Sequence, residues 1–169
     1  MNFRLEKIKE LSGRVASVYT VLPDGDQASV FEQFLDEYNG TYQAELDDIV
    51  SRLHAIGHKT GARASFFKEG EGKWRDLVCA LYDEPERKLR LYCLRWGGDF
   101  IILGGGGPKN TRTWQEDENL SYHAEMMIAV AKRVHRRFKD GELKWTAGYK
   151  DITGDLEFKD EEDDWRNSK

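Results

Sequence analysis

The chain has 169 residues, 39% hydrophobic and 12% aromatic, enough to bury the core of one domain of ordinary size. A net charge of −5 and a pI near 5.5 argue against strong non-specific nucleic-acid binding. The two cysteines are too few for a disulfide framework, no apolar run reaches the length of a membrane span, and the charged MNFRLEKIKE start is unlike a signal peptide, which together predict a cytoplasmic protein.

The charge is segregated along the chain. Residues 24–48 hold eight acidic and no basic side chains, and residues 151–169 hold eight acidic against three basic. Between them, residues 63–113 carry ten Lys/Arg against seven Asp/Glu, and residues 121–150 seven against three. A polyanion could therefore still meet a cationic face on an acidic protein.

In chain order, residues 3–11 read either as a short helix or as an irregular arm. The β-branched run RVASVYTVL at 14–22 predicts a strand, turned by Pro23-Asp24-Gly25. From Asp26, Val30, Phe31, Phe34, Leu35 and Tyr38 recur at helical spacing, with Asn39-Gly40 as the stop. Thr41 is the expected cap of a second helix burying Leu46, Ile49, Val50, Leu53 and Ile56, so that the two form a helical hairpin. Residues 58–72 read as a polar loop anchored by Phe66-Phe67. WRDLVCALY at 74–82 predicts the next strand, in which Cys79, like Cys93 further on, serves as a small buried apolar residue.

The stretch KLRLYCLRWGGDFIILGGGGPKNTRT at 88–113 reads as a β-hairpin followed by a glycine run that delivers Lys109. With Gly97 and Gly98 as turn residues, Tyr92 would face Leu103 and Arg90 would face Gly105. Alternation places Arg90, Tyr92, Leu94 and Trp96 on one side of the strand and Leu89, Leu91, Cys93 and Arg95 on the other. Glycine packs nothing, so the strand is expected to end or bulge at Gly104–Gly107. The run is not a phosphate loop, because proline separates Gly107 from Lys109 and no helix is expected before Ser121. That last helix buries Ala124, Met127, Ile128, Ala131 and Val134, and the Lys/Arg residues of its final turns complement the helix dipole. His54 and His58 share a helix face but lack the glutamate and third ligand of a zinc site.

The order strand, two helices, three antiparallel strands and C-terminal helix, with R-L-Y at Arg90–Tyr92 and Lys109 after the glycine run, resembles the RelE/ParE superfamily of toxins, nearest its HigB-like members. The resemblance implies a RelE-like α+β fold over residues 1–140, a mainly antiparallel sheet with the C-terminal helix packed on it; the residues beyond depart from the family and read as a partly docked extension at 141–158 and an acidic tail at 159–169. It also implies a bacterial or phage, metal-independent and cofactor-free endoribonuclease that cleaves mRNA, with the ribosome and with a cognate antitoxin on another chain as partners. Arg90 and Lys109 would stabilise charge on phosphate, and Tyr92, His58 or His123 would move protons. Around them, Arg95, Trp96, Arg112, Trp114, His58 and His123 are the candidate substrate-binding residues. The residues leave a second reading open, a non-catalytic module that meets a protein partner through its acidic helix and tail.

Overall fold

A computed structural model describes residues 1–69, 78–81, 88–109, 117–146 and 148–159. The chain starts with a strand where a helix or an arm was expected. In β1 (Phe3–Lys7) Phe3 and Leu5 are buried and Arg4 is exposed, the alternation of a one-sided strand, and β1 pairs antiparallel with β2 (Ser17–Pro23).

Helix α1 (Val30–Tyr38) begins four residues later than the periodicity suggested, where Ser29 makes a capping box. Its hydroxyl accepts from the Glu32 N–H at 3.1 Å while the Glu32 carboxylate accepts from the Ser29 N–H at 3.3 Å. Helix α2 (Gln43–Ala55) has no side-chain cap from Thr41, since the residue at its cap position is Tyr42. It runs into a π-helical turn at Ile56–Thr60, where the Gly57 carbonyl accepts from the N–H groups of Val15 and Ala16.

The strand next to the expected Phe66-Phe67 anchor is longer than a loop needs: β3 (Phe67–Glu69) pairs with β4 (Val78–Leu81), which pairs with β5 (Leu89–Trp96) and through it with β6 (Phe100–Pro108). The hairpin register differs from expectation by one residue next to the turn and by two beyond the bulge. The loop has three residues, Gly97 to Asp99, with Gly97 at φ +55°, and β6 carries one extra residue between Leu103 and Gly106. Cys93 therefore faces Leu103 and Arg90 faces Gly107. The strand bulges at the glycines but does not end there. A Cβ at Gly104 would stand 2.6 Å from the Met127 sulfur, and one at Gly107 would stand 2.7 Å from the Tyr38 hydroxyl. The glycines let helices approach β6 closely from more than one side.

β2 and β6 pair in parallel, Ser17 to Thr20 against Phe100 to Leu103, with the Thr20 hydroxyl donating to the Leu103 carbonyl at 2.9 Å. The seven-stranded, mostly antiparallel sheet runs β3-β4-β5-β6-β2-β1-β9, where β9 (Glu157–Phe158) pairs with β1. Each face carries its own core. On one lie Tyr92, Leu94 and Ile102 under helix α3 (Glu118–Lys139); on the other lie Leu91, Cys93 and Ile101 with Phe34, Ile49 and Leu53 of α1 and α2. The fold is α+β. No helix among the described residues is long and apolar enough to cross a membrane.

The expected extension at 141–158 is part of this architecture. β7 (Leu143–Trp145) and β8 (Ile152–Gly154) make a small hairpin, Trp145 stacks on Phe138 at 4.7 Å, and Phe158 is fully buried, its ring stacked on Phe3 at 4.5 Å. Asp151 ties the hairpin to the first strands by accepting from the Tyr19 hydroxyl at 2.5 Å and pairing with Lys7 at 2.7 Å. Burial pushes the Asp151 carboxyl up, but hydrogen bonds from Lys7, Tyr19 and the Ile152 N–H outweigh it and hold the group below its ordinary 3.8. A depressed folded-state pKa means the stabilisation is complete above the unfolded carboxyl range and fades as pH falls through the folded value. Asp151→Asn is thus expected to cost about 1–2 kcal/mol at neutral pH. The gap to the native chain should close below about pH 4 in urea titrations. Of the expected acidic tail, residues 160–169 lie outside the described residues.

Candidate functional site

Strand alternation and pairing register bring three cations to one end of one sheet face. Lys68 on β3 faces Ala80, and Ala80 faces Tyr92 on β5, so Lys68 and Tyr92 share a rung and a face. Arg90 lies two residues before Tyr92, on the same side. Gly107 faces Arg90, and Lys109 follows two residues later, anchored by its N–H donating to the Lys88 carbonyl at 2.8 Å. Lys68, Arg90 and Lys109 thus border a ledge beside the start of α3, whose Asn119 amide donates to the Gly106 carbonyl.

The electrostatics agree with this placement. Burial, then the positive charges of Lys68 and Arg90, lowers the Lys109 ammonium from its ordinary 10.5. Arg90 is half-buried, with one guanidinium nitrogen donating to the Leu89 carbonyl at 3.0 Å. Tyr92 lies beneath the ledge in the core, 5% exposed, and burial pushes its phenol well above the ordinary 10 despite the opposing pull of Arg90. A phenol held there keeps its proton near neutral pH, and its ring packs in the core beneath α3.

The other candidates scatter. Arg95 donates to the Ala62 carbonyl at 2.7 Å, and the Trp96 ring sits 5.5 Å from Phe100 and 6.5 Å from Trp145. Both occupy the turn end of β5, about 16 Å and about 20 Å from Arg90 at the rise of an extended strand. His58 stacks on His54 at 4.1 Å beside the Glu10 carbonyl, in the layer of α2 on the opposite face. His123, by contrast, lies on the first turns of α3 against Gly105, one strand position from the ledge. Burial lowers its imidazole below the ordinary 6.5, against the raising influence of Glu37. Arg112 and Trp114 lie outside the described residues.

Lys68 and Glu37 belong to this neighbourhood and escaped the sequence reading. The alternation Phe67 in, Lys68 out was the available signal for a short strand in what read as a loop. Glu37 was counted only as part of an acidic helix. Among the described residues, no three His, Cys, Asp or Glu side chains come together as a metal cage requires. Set against family models, curated proteins and solved structures, the chain gives no match.

Proposed function

We propose that the protein binds RNA through the Lys68, Arg90 and Lys109 ledge and cleaves it as an endoribonuclease. The observation that carries this reading is the convergence of three cations from separate strands, with Lys109 partly desolvated among like charges. Positive side chains held this close together favour an anion such as a phosphodiester beside them.

In the reaction, the 2′-oxygen forms a bond to the adjacent phosphorus as the bond from phosphorus to the 5′-oxygen breaks, giving a 2′,3′-cyclic phosphate and a 5′-hydroxyl. Lys109, placed beside Arg90 and Lys68 at the phosphate, takes the 2′-hydroxyl proton in its neutral form, and water returns a proton to the leaving oxygen. Arg90 and Lys68 offset the charge that builds on the phosphate oxygens. The RelE/ParE resemblance supports mRNA, on or off the ribosome, as substrate and a cognate antitoxin on another chain as partner.

Lys109→Arg separates charge from proton transfer. It is expected to hold RNA within about threefold of the native affinity while slowing cleavage about 100-fold, whereas Arg90→Ala weakens both. Native cleavage should rise with pH through a lysine value below about 10.4, and that limb should vanish in Lys109→Arg. Filter binding and gel analysis of an RNA oligonucleotide, with end-group analysis for the cyclic phosphate, check this. Cleavage undiminished in Lys109→Arg would overturn the mechanism. RNA bound and left intact would overturn the cleavage but keep the ledge, and no RNA binding would favour the non-catalytic module that meets a protein partner.

A further inference from the structure

β2 and β6 part company after Thr20 and Leu103, and the glycine half of β6 is flanked by α1 and α3. Between the two helices lies a cleft of about 290 Å³, with Gly106 and His123 at its floor, Phe34 and Met126 in its walls, and Glu37 and Tyr122 at its rim. The cleft and the cationic ledge meet at Gly106–Gly107, since Gly107 faces Arg90 across the hairpin.

Asp26 and Gln33 also line this cleft, where the Gln33 amide donates to the Asp26 carboxylate at 3.0 Å; the remaining polar side chains are those of His123, Glu37 and Tyr122. The Nδ1–Cε1 edge of His123 lies against β6, where a Cβ at Gly105 would stand 2.8 Å from both atoms, and Nδ1 is buried with no hydrogen-bond partner among the described residues. The edge carrying Nε2 is the one left to the cleft. Keeping the ring hydrogen on Nε2 confines the buried side to a lone pair and gives the floor a donor. The exposed Glu37 carboxylate accepts only, and it acts on the His123 ring across the cleft. Tyr122 is 62% exposed, its ring near-perpendicular to that of His123 at 5.1 Å, so most of it is open to a ligand.

A flat ligand that offers an acceptor beside two adjacent N–H donors matches a donor, a carboxylate and an aromatic face. Guanine does so with O6, N1–H and the N2 amino group; adenine and cytosine present one amino group, and uracil one imide N–H. A guanidinium or ammonium would meet Glu37 but would leave the His123 donor unmatched. We propose that this cleft is a base subsite for guanine, with Glu37 accepting from N1–H and N2–H, His123 donating to O6, and Tyr122 stacking on the ring. The subsite rests on the RNA reading of the ledge, which would hold the phosphate of the same nucleotide.

The test uses nucleosides, which carry no phosphate and so do not engage the ledge. Guanosine, adenosine, cytidine, uridine and arginine amide are titrated against the native chain, Glu37→Gln and Tyr122→Ala, following the His123 ring resonances by NMR. Guanosine is expected to bind about tenfold or more tighter than the other nucleosides. Glu37→Gln should abolish that preference without moving the thermal midpoint, because Glu37 is exposed; Tyr122→Ala should weaken every nucleoside. A different preferred base, guanosine binding unchanged by Glu37→Gln, arginine amide alone binding, or no binding at all would each overturn the proposal. RNA affinity of the native chain and Arg90→Ala is measured alongside. RNA bound at the ledge with no guanosine preference sinks the subsite alone; guanosine bound with no RNA affinity sinks the ledge reading alone.

Discussion

Arg137→Ala is expected to destabilise the protein by about 3 kcal/mol, read as a lower urea midpoint at an unchanged m-value. The guanidinium is 1% exposed and lies 4.1 Å over the Phe158 ring, with Nε 3.1 Å from a Glu142 carboxylate oxygen and Nη1 3.2 Å from one of Asp155. Its Nη1 also donates to the Asp155 carbonyl at 2.9 Å. It therefore joins the end of α3 to the segment that leads into β9. Truncation to alanine removes the cation from the Phe158 face and opens a cavity beneath β9. Arg137→Met keeps most of the buried stem and should recover part of the loss, because Glu142 and Asp155 are partly exposed and can be hydrated. A loss below about 1 kcal/mol for Arg137→Ala would mean the segment closes over the gap without the cation.

The second large effect is expected at Gly106. A Cβ there would stand 1.8 Å from the Arg90 carbonyl oxygen, which is backbone and cannot swing aside. Gly106→Ala must push β5 and β6 apart at the bulge, at an expected cost of about 3 kcal/mol or more. Gly105→Ala is the control. Its Cβ meets the His123 ring at 2.8 Å, and a side chain can rotate, so about 1 kcal/mol is expected. On the proposed RNA reading, displacing the Arg90 carbonyl that Gly106 abuts should also weaken RNA binding in whatever fraction remains folded. Denaturant titration of both variants, followed by RNA binding of the folded fraction, checks the pair. Equal costs at the two positions would show that β6 yields as easily as a histidine ring.

Much of this architecture can be read from residues alone, and the parts that cannot have identifiable reasons. Helix α1, though not its Ser29 cap, the β5–β6 hairpin and the alternation that pairs Arg90 with Tyr92 follow from local pattern. β1 was ambiguous because a five-residue strand with charges on its outer side has too little period to separate it from an arm. The hairpin register depended on whether the loop used two residues or three, and on a bulge that answers to the helices packed over the glycines. Arg137 read as one more cation at a helix C-terminus; its burial depends on Phe158 and Asp155, which follow in a segment that looked peripheral. The ledge was half legible. Arg90 and Lys109 stood out by their hairpin, whereas Lys68 joins them only through the rungs of β3, β4 and β5, and the distance of Arg95 and Trp96 from Arg90 required the strand to be laid out in space.

The Phe3–Phe158 pairing has a consequence for how the molecule comes into being. One side of β1 is covered by β2 as soon as the first two strands have been made, yet its other side receives β9, among the last described residues to be synthesised. Until then the nascent chain carries an open strand edge and an uncovered Phe3 ring, the features that invite pairing with a neighbouring chain. β2 likewise waits for β6 across the two helices and the β3–β5 strands, so the sheet is assembled from contacts distant in sequence and should close slowly. The sheet edge is therefore finished only once β9 has been made, and crowding of unfinished chains is when this fold is most exposed to misassembly.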